Sequence, residues 1–310
     1  MSILITGGTG SLGSFLAKEM IREGYRDIVL FDFKPDYKRI SEISDRVKVV
    51  KGNITDWTDI VKVIKEYEIK EIFHLAALLF TEVMEKPFYG FKINVEGTVN
   101  ILEASRILNV KRLIFASSIS TFGPGVSEPV KETYRQEPTN LYGITKVTDE
   151  LWGLYYQQQY NIDIRALRFP RIVNPGRYGV GTALFPSLMI EKAALNKYYE
   201  VEVDEKYRVP MIYIKDAVNA LILLYKAQQV KTRIYNINGL LPTAKQILET
   251  IKKYLPDAPV KFSKKPITPH LAMPLHYDDS KAREELGWKI EYTLDKMIKD
   301  FISEIQRKQM

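Results

Sequence analysis

The stretch LYGITK sets Tyr142 and Lys146 four residues apart, a spacing that brings a phenol and an ammonium out on one face at the start of a helix. A positive neighbour lowers the proton affinity of a phenol from its ordinary pKa of about 10, which suits it to proton transfer. The pair alone is a common coincidence. It gains specificity from Ser118, the last residue of the apolar run RLIFASS (112 to 118), because open α/β sheets bind ligands at the C-terminal ends of their strands.

A second constellation lies at the start of the chain. In TGGTGSLG, Gly7, Gly10 and Gly13 follow the run ILITG (3 to 7) and open a helical pattern. Glycines are needed where a tight turn brings backbone N–H groups against a pyrophosphate at the positive end of a helix, and Ser11 and Leu12 carry the first of those groups. Asp32 closes the next apolar run, where a carboxylate accepts hydrogen bonds from the adenosine ribose and repels a 2′-phosphate. The expected cofactor is therefore NAD. Asn53 and Ile54, after the third run, are placed to meet the adenine.

These residues need a scaffold, and the pattern supplies one. Apolar runs at 3 to 7, 28 to 32, 47 to 52, 72 to 77, 112 to 118 and 164 to 169 alternate with helical periodicity, as in right-handed βαβ units. The first crossover is legible in detail, with Leu12, Phe15, Leu16 and Met20 at helical spacing and Gly24 as its stop. The expected fold is α/β, a Rossmann-type doubly wound parallel sheet with helices on both faces and a smaller C-terminal substrate-binding lobe. Residues 1–169 would form the cofactor domain, joined by returning segments at about 209–239, with strands near 209 to 214 and 233 to 238 and a helix near 215 to 228. Residues 170–208 and 240–310 would form the second lobe, with helices near 183 to 196, 243 to 255, 278 to 286 and 293 to 308.

Composition removes other classes. The chain of 310 residues has no cysteine and only three histidines, so thiolate chemistry and disulfides are excluded and a metal site is poorly supplied. The net charge of +7 is spread among 38 acidic residues, which argues against a nucleic-acid partner. No apolar run is long enough to span a bilayer, and MSILITGG carries neither a basic leader nor a cleavage site, so a cytoplasmic location is expected.

TGGTGSLG, Asp32, HLAA, KINVEGT, SSISTFG, YGITK and the later SKAREELGW together resemble the extended short-chain dehydrogenase/reductase family over nearly the whole chain. The resemblance implies that Tyr142 is the general acid/base, and that Ser118 hydrogen-bonds the reacting oxygen. It gives Lys146 two tasks, lowering the Tyr142 pKa and holding the nicotinamide ribose. It also puts Leu75, Ala76, Ala77 and Phe169 along the cofactor, with Asn94 making a structural bond from helix to sheet. Ser117, Ser120 and Thr121 read more simply as loop hydrogen-bonders, and His74 as a strand-end histidine satisfied by backbone. Dimerisation through helices near 88 to 108 and 141 to 160 is common in the family. A homodimer is the expectation, with Tyr155, Tyr156 and Tyr160 as interface or core residues.

Within that family the sequence discriminates among reactions. Sugar-nucleotide 4,6-dehydratases carry an Asp-Glu pair after the active-site threonine, and this chain has Ile119 and Ser120 there. Nucleotide-sugar 4-epimerases pass that test, but their diphosphate-binding positions do not transfer. Arg171 stands where they have Asn, Val209 where they have Arg with Arg208 one place off, and only His270 and His276 where another Arg is expected. RFPRIV, GTALF and RVPMIYIKDAVNALILLY are most similar to short-chain-type L-threonine 3-dehydrogenases. Their substrate-loop serine is here Phe80 followed by Thr81, and Met273 lies near their C-terminal tryptophan. The expected activity is NAD-dependent oxidation of a small hydroxy or amino acid, with an epimerase as the alternative and a non-catalytic NAD-binding sensor as a third reading.

Substrate contacts are expected from Thr81, Ser118, Arg171 and Thr182. In LRFPRIVNPGR, Arg168 reads as a structural ion pair, and Arg177, in the loop beside Gly176, as a lesser candidate for gripping an anion. Arg171 is open between an anion clamp, suited to an anionic small-molecule substrate, and a buried pair with an Asp or Glu.

Overall fold

Side-chain alternation decides the central layer. In β1 (Ile3–Thr6), Ile3 and Ile5 enter one apolar cluster and Leu4 the opposite one; in β2 (Ile28–Asp32), Ile28 and Leu30 face the first and Val29 and Phe31 the second. A strand apolar on both faces must be covered on both, which is the condition of a parallel sheet packed between helices. The computed structural model, which describes residues 2–176, 184–266 and 273–307, meets that condition.

The sheet continues with β3 (Lys48–Lys51), β4 (Glu71–His74), β5 (Arg112–Ser118) and β6 (Asp163–Phe169). Three short strands follow, β7 (Arg171–Val173), β8 (Tyr199–Val201) and β9 (Met211–Tyr213), before β10 (Ile234–Asn236) and β11 (Val260–Phe262). Seven of them form one parallel sheet in the order β10-β6-β5-β4-β1-β2-β3. The order reverses between β1 and β4, and ligands of open α/β sheets lie outside the strand ends at such a point.

Helix α1 (Ser11–Arg22) covers one face of the sheet with Leu16 and Met20, and Gly24 at φ +93° stops it as the sequence expects. On the other face lies α2 (Trp57–Glu66), capped by the Asp56 carboxylate, with Ile101 and Tyr156 of two later helices. A separate short helix, α3 (Phe80–Glu85), ends at Lys86, where Pro87 imposes a fresh start. The helix expected over 88 to 108 then runs without a break through α4 (Pro87–Gly90), a π-helical segment Phe91–Glu96 and α5 (Gly97–Ile107). Helix α6 (Leu141–Tyr160) begins at an Asn140 cap and ends at Asn161 in the left-handed conformation.

The C-terminal helices fall where periodicity puts them: α7 (Phe185–Ala194), α8 (Ile214–Lys226), α9 (Ala244–Tyr254), α10 (Ser280–Leu286) and α11 (Leu294–Arg307). One of the two returning strands lies outside the main sheet. β9 does not join the seven-stranded sheet but pairs with β7, since the chain leaves the sheet at Phe169-Pro170 and β7 carries its edge away. The return of this segment to the main body runs instead through α8, which packs on α1, and through β10. A single apolar cluster connects Ile5 and Leu30 of the sheet to Phe185, Ile247 and Phe301 of the later helices. Among the described residues no helix is long and apolar enough to cross a membrane.

Candidate active site

The turn after β1 carries the first half of the site. Gly7 has φ +63°, and a side chain there would press on the Ala76 backbone, so the turn and the strand end at the switch point approach through a glycine. Gly10 is the N-cap of α1 and offers no side-chain cap, and the first turn of the helix contains no acid. The helix N-terminus thus keeps its donors and its positive end for an external anion. Ser11 adds a buried hydroxyl that has no hydrogen-bond partner among the described residues. A dinucleotide pyrophosphate fits these features.

Asp32 ends β2 facing this turn. Its Oδ2 accepts from the Thr9 hydroxyl at 2.8 Å and the Thr9 N–H at 3.2 Å, and Oδ1 accepts from the Lys34 N–H at 3.2 Å. Thr9, which the sequence reading did not single out, fixes the carboxylate at the loop and in turn accepts from the Asp36 N–H. Asn53 and Ile54 follow β3. The Asn53 side chain closes a turn to the Thr55 N–H, and Ile54 packs against Gly97.

After β4, the N–H groups of Leu75 and Ala76 donate to the Thr6 hydroxyl at 3.2 Å. Asn94 holds this loop to α6: its amide takes the Leu78 N–H at 2.8 Å and gives hydrogens to the Leu78 carbonyl and the Thr145 hydroxyl, both at 3.1 Å. His74 requires a correction. It is satisfied by the hydroxyls of Thr6 (2.8 Å) and Thr98 (3.1 Å) rather than by backbone, because both lie on elements flanking the strand end. Burial, and secondarily the Lys146 charge, pull its pKa down to about 3, so the ring is neutral at ordinary pH.

The second half of the site is built where α6 meets the end of β5. The Asn140 side chain accepts from the Gly143 N–H at 2.8 Å, which starts the helix and fixes Tyr142 in its first turn. Gly143 lies directly against the Ser120 carbonyl, a closeness that no side chain would permit. This contact brings Tyr142 to the Ser118 loop. Ser118 is buried, its hydroxyl accepts from the Ser120 N–H at 3.1 Å, and it stands opposite Phe169 in the β5–β6 register. Tyr142 is half-buried, and one turn later the Lys146 ammonium feels its phenol.

Lys146 has an acidic partner that the sequence reading missed. Its Nζ lies 3.2 Å from Asp149 Oδ2, and both side chains are buried. The signal was present in the sequence as a Lys–Asp pair at i,i+3, but such pairs are usually solvated. The neighbouring Glu150 belongs to a separate network: Arg168 grips it with two bonds of 2.9 and 2.7 Å, Ser117 donates to it, and Gln136 donates at 2.7 Å. Arg168 is thus in a buried ion pair and Ser117 in a structural bond. Thr121 donates to the Ser118 carbonyl, and Ser120 reaches the Met273 sulfur at 3.8 Å.

Arg171 starts β7, two residues beyond the strand partner of Ser118. Among the described residues it has no ion pair with any carboxylate. Burial draws its guanidinium below its usual pKa, and among the described residues the Tyr207 phenol opposes that shift. Thr81 lies in the first turn of α3, beyond the Leu75–Leu79 loop. Thr182, Arg177 and His270 fall outside the described residues. Val209 is buried, Arg208 is exposed beside Thr243, and His276 is exposed with its N–H on Glu128.

Comparisons with known proteins agree with this architecture. The family model described as GDP-mannose 4,6 dehydratase matches residues 4–301. The mitochondrial L-threonine 3-dehydrogenase of Bos taurus is 29% identical over 308 residues, covering 96% of this chain and 80% of that protein. Among solved structures, a GalE-like L-threonine dehydrogenase from Cupriavidus necator superposes with TM-score 0.88 at 28% identity, covering 98% of this chain and 100% of that one. A UDP-glucose 4-epimerase from Thermotoga maritima gives TM-score 0.90 at 23% identity over the full length of both chains, a likeness of fold.

Proposed function

Because the chain belongs to the GDP-mannose 4,6-dehydratase family of extended short-chain dehydrogenase/reductase proteins, we propose that it is an NAD-dependent oxidoreductase acting on a small hydroxy or amino acid of the L-threonine type. The observation that carries the reading is the close approach of Gly143 to Ser120. It holds the first turns of α6, which carry Tyr142 and the buried Lys146, against the loop that follows Ser118, and this supports the reading. In this reading NAD, when bound, supplies the hydride acceptor. Gly7, Gly10, Ser11, Leu12 and Gly13 hold its pyrophosphate, Asp32 its adenosine ribose, and Asn53 and Ile54 its adenine. Leu75, Ala76, Ala77 and Phe169 line it.

Tyr142 takes the proton of the substrate hydroxyl as its carbon is oxidised, Ser118 orients that oxygen, and Lys146 supplies the positive charge that favours the phenolate. Arg171 grips the substrate's carboxylate, consistent with a guanidinium that has no carboxylate of its own among the described residues. Thr81 and Thr182 complete the substrate contacts. Dehydration is disfavoured despite the family's description, since Ile119 and Ser120 supply no acid/base pair. Epimerisation of a nucleotide sugar is the rival reading, and it differs in recycling its NADH. Two copies of the chain would associate through the exposed faces of α4 and α6.

The test is Tyr142→Phe. Substrate-dependent NADH formation is expected to fall by at least about a hundredfold, the usual contribution of a general acid/base, with NAD affinity preserved. Turnover equal to that of the parent protein would remove Tyr142 from the chemistry.

A further inference from the structure

Lys146 is a cation with almost no water, and some group must keep it charged. A buried ammonium without a counter-charge loses its proton readily, by as much as several pKa units for a fully buried lysine. The Lys146 side chain is 7% exposed and that of Asp149 1% exposed, with 3.2 Å between Nζ and Oδ2. The other oxygen, Oδ1, is buried without a hydrogen-bond donor among the described residues. The nearby Thr98 hydroxyl gives its hydrogen to the Asn94 carbonyl instead. The ammonium is therefore the principal partner of this carboxylate.

We propose that Asp149 is a positioning residue that keeps the buried Lys146 ammonium both in place and charged beside Tyr142. The reading rests on Tyr142 being the proton carrier, but it assigns a task to a residue outside the Ser-Tyr-Lys set. The surroundings leave few alternatives. On α6, Glu150 is the only other nearby carboxylate, and it is matched by Arg168 of β6 and bonded by Ser117 of β5. From β4, His74 is neutral, and from α5 only the Thr98 hydroxyl intervenes. Burial pulls the proton affinity of Lys146 down, and among the groups that restore it above the usual lysine value Asp149 comes first, ahead of Tyr142 and Glu150. Burial also pushes Asp149 itself up to about 6, against the pull of Lys146. The two groups thus share a proton balance that reaches Tyr142.

Asp149→Asn keeps the shape and removes the charge. Phenolate formation is followed by ultraviolet difference spectroscopy of the protein without cofactor, in the parent and in Asp149→Asn, each with and without Tyr142→Phe, so that the difference isolates Tyr142. The Tyr142 midpoint is expected to rise by about one pH unit or more in Asp149→Asn, because Lys146 no longer holds its charge there. Asp149→Ser gives the same reading should the asparagine variant fail to fold, and Asp149→Glu, which retains the charge, returns the midpoint toward that of the parent. An unmoved midpoint overturns the proposal, since a merely structural Asp149 would not be read by Tyr142. A lowered midpoint overturns it too, since Asp149 would then only be damping a Lys146 that stays charged by itself. Failure of the oxidoreductase reading would show separately, as absent NADH formation in the parent protein, and the titration does not depend on turnover.

Discussion

Arg168 and Arg171 lie three residues apart and meet opposite surroundings. Arg168 is gripped by Glu150 from α6 and stacks over the Phe122 ring, while among the described residues Arg171 has the Tyr207 phenol alone to favour its charge. The sequence suggested an ion pair for the first and left the second open. The partner of Arg168 was not legible, because the pairing requires α6 to lie across the ends of β5 and β6. Asp149 shows the same limit more sharply: its spacing from Lys146 is visible in the sequence, but its burial is a product of packing. Arg171→Ala is expected to raise KM for an anionic substrate by about tenfold or more, the cost of a charge-assisted pair, with kcat and NAD affinity little changed. An unchanged KM in steady-state kinetics would leave Arg171 without a part in substrate binding.

At the scale of elements, the long amphipathic helices were legible because their apolar spacing is regular. What escaped was local. The π-helical stretch Phe91–Glu96, the strands β7, β8 and β11, and the pairing of β9 with β7 involve segments too short to carry a period. Helix α6 has two faces with different histories. Tyr156 is buried and donates to Glu103, so it belongs to the monomer core, whereas Ile144, Leu151 and Tyr155 form an exposed stripe at i, i+7 and i+11. Phe88 on the adjoining α4 is 72% exposed and Leu151 60%. An isologous pairing of the proposed dimer would cover these apolar groups in both copies at once. Light scattering is expected to give twice the 35.8 kDa chain mass for the parent protein and a shift toward the monomer for Leu151→Arg. A parent protein that is monomeric at micromolar concentration would contradict this assembly.

For the molecule as a whole, the doubly wound fold followed from two periodicities and a glycine turn, which is why six strands could be read before the structure, whereas their order and the switch point could not. The C-terminal half was less legible. Its core is continuous with the sheet, and the contacts that close it, such as the Ile237 N–H on the Arg168 carbonyl, join residues far apart in the chain. The site inherits this division: the cofactor turn and Tyr142–Lys146 came from local motifs, and the substrate side depends on segments brought in by tertiary packing. The central claim is net oxidation by NAD of a small hydroxy acid. Its most direct test is NADH formation by the purified protein with NAD, measured against L-threonine, other hydroxy and amino acids, and UDP-galactose. Net NADH with a hydroxy or amino acid is the predicted result. Conversion of the nucleotide sugar alone, without NADH accumulating, would contradict it.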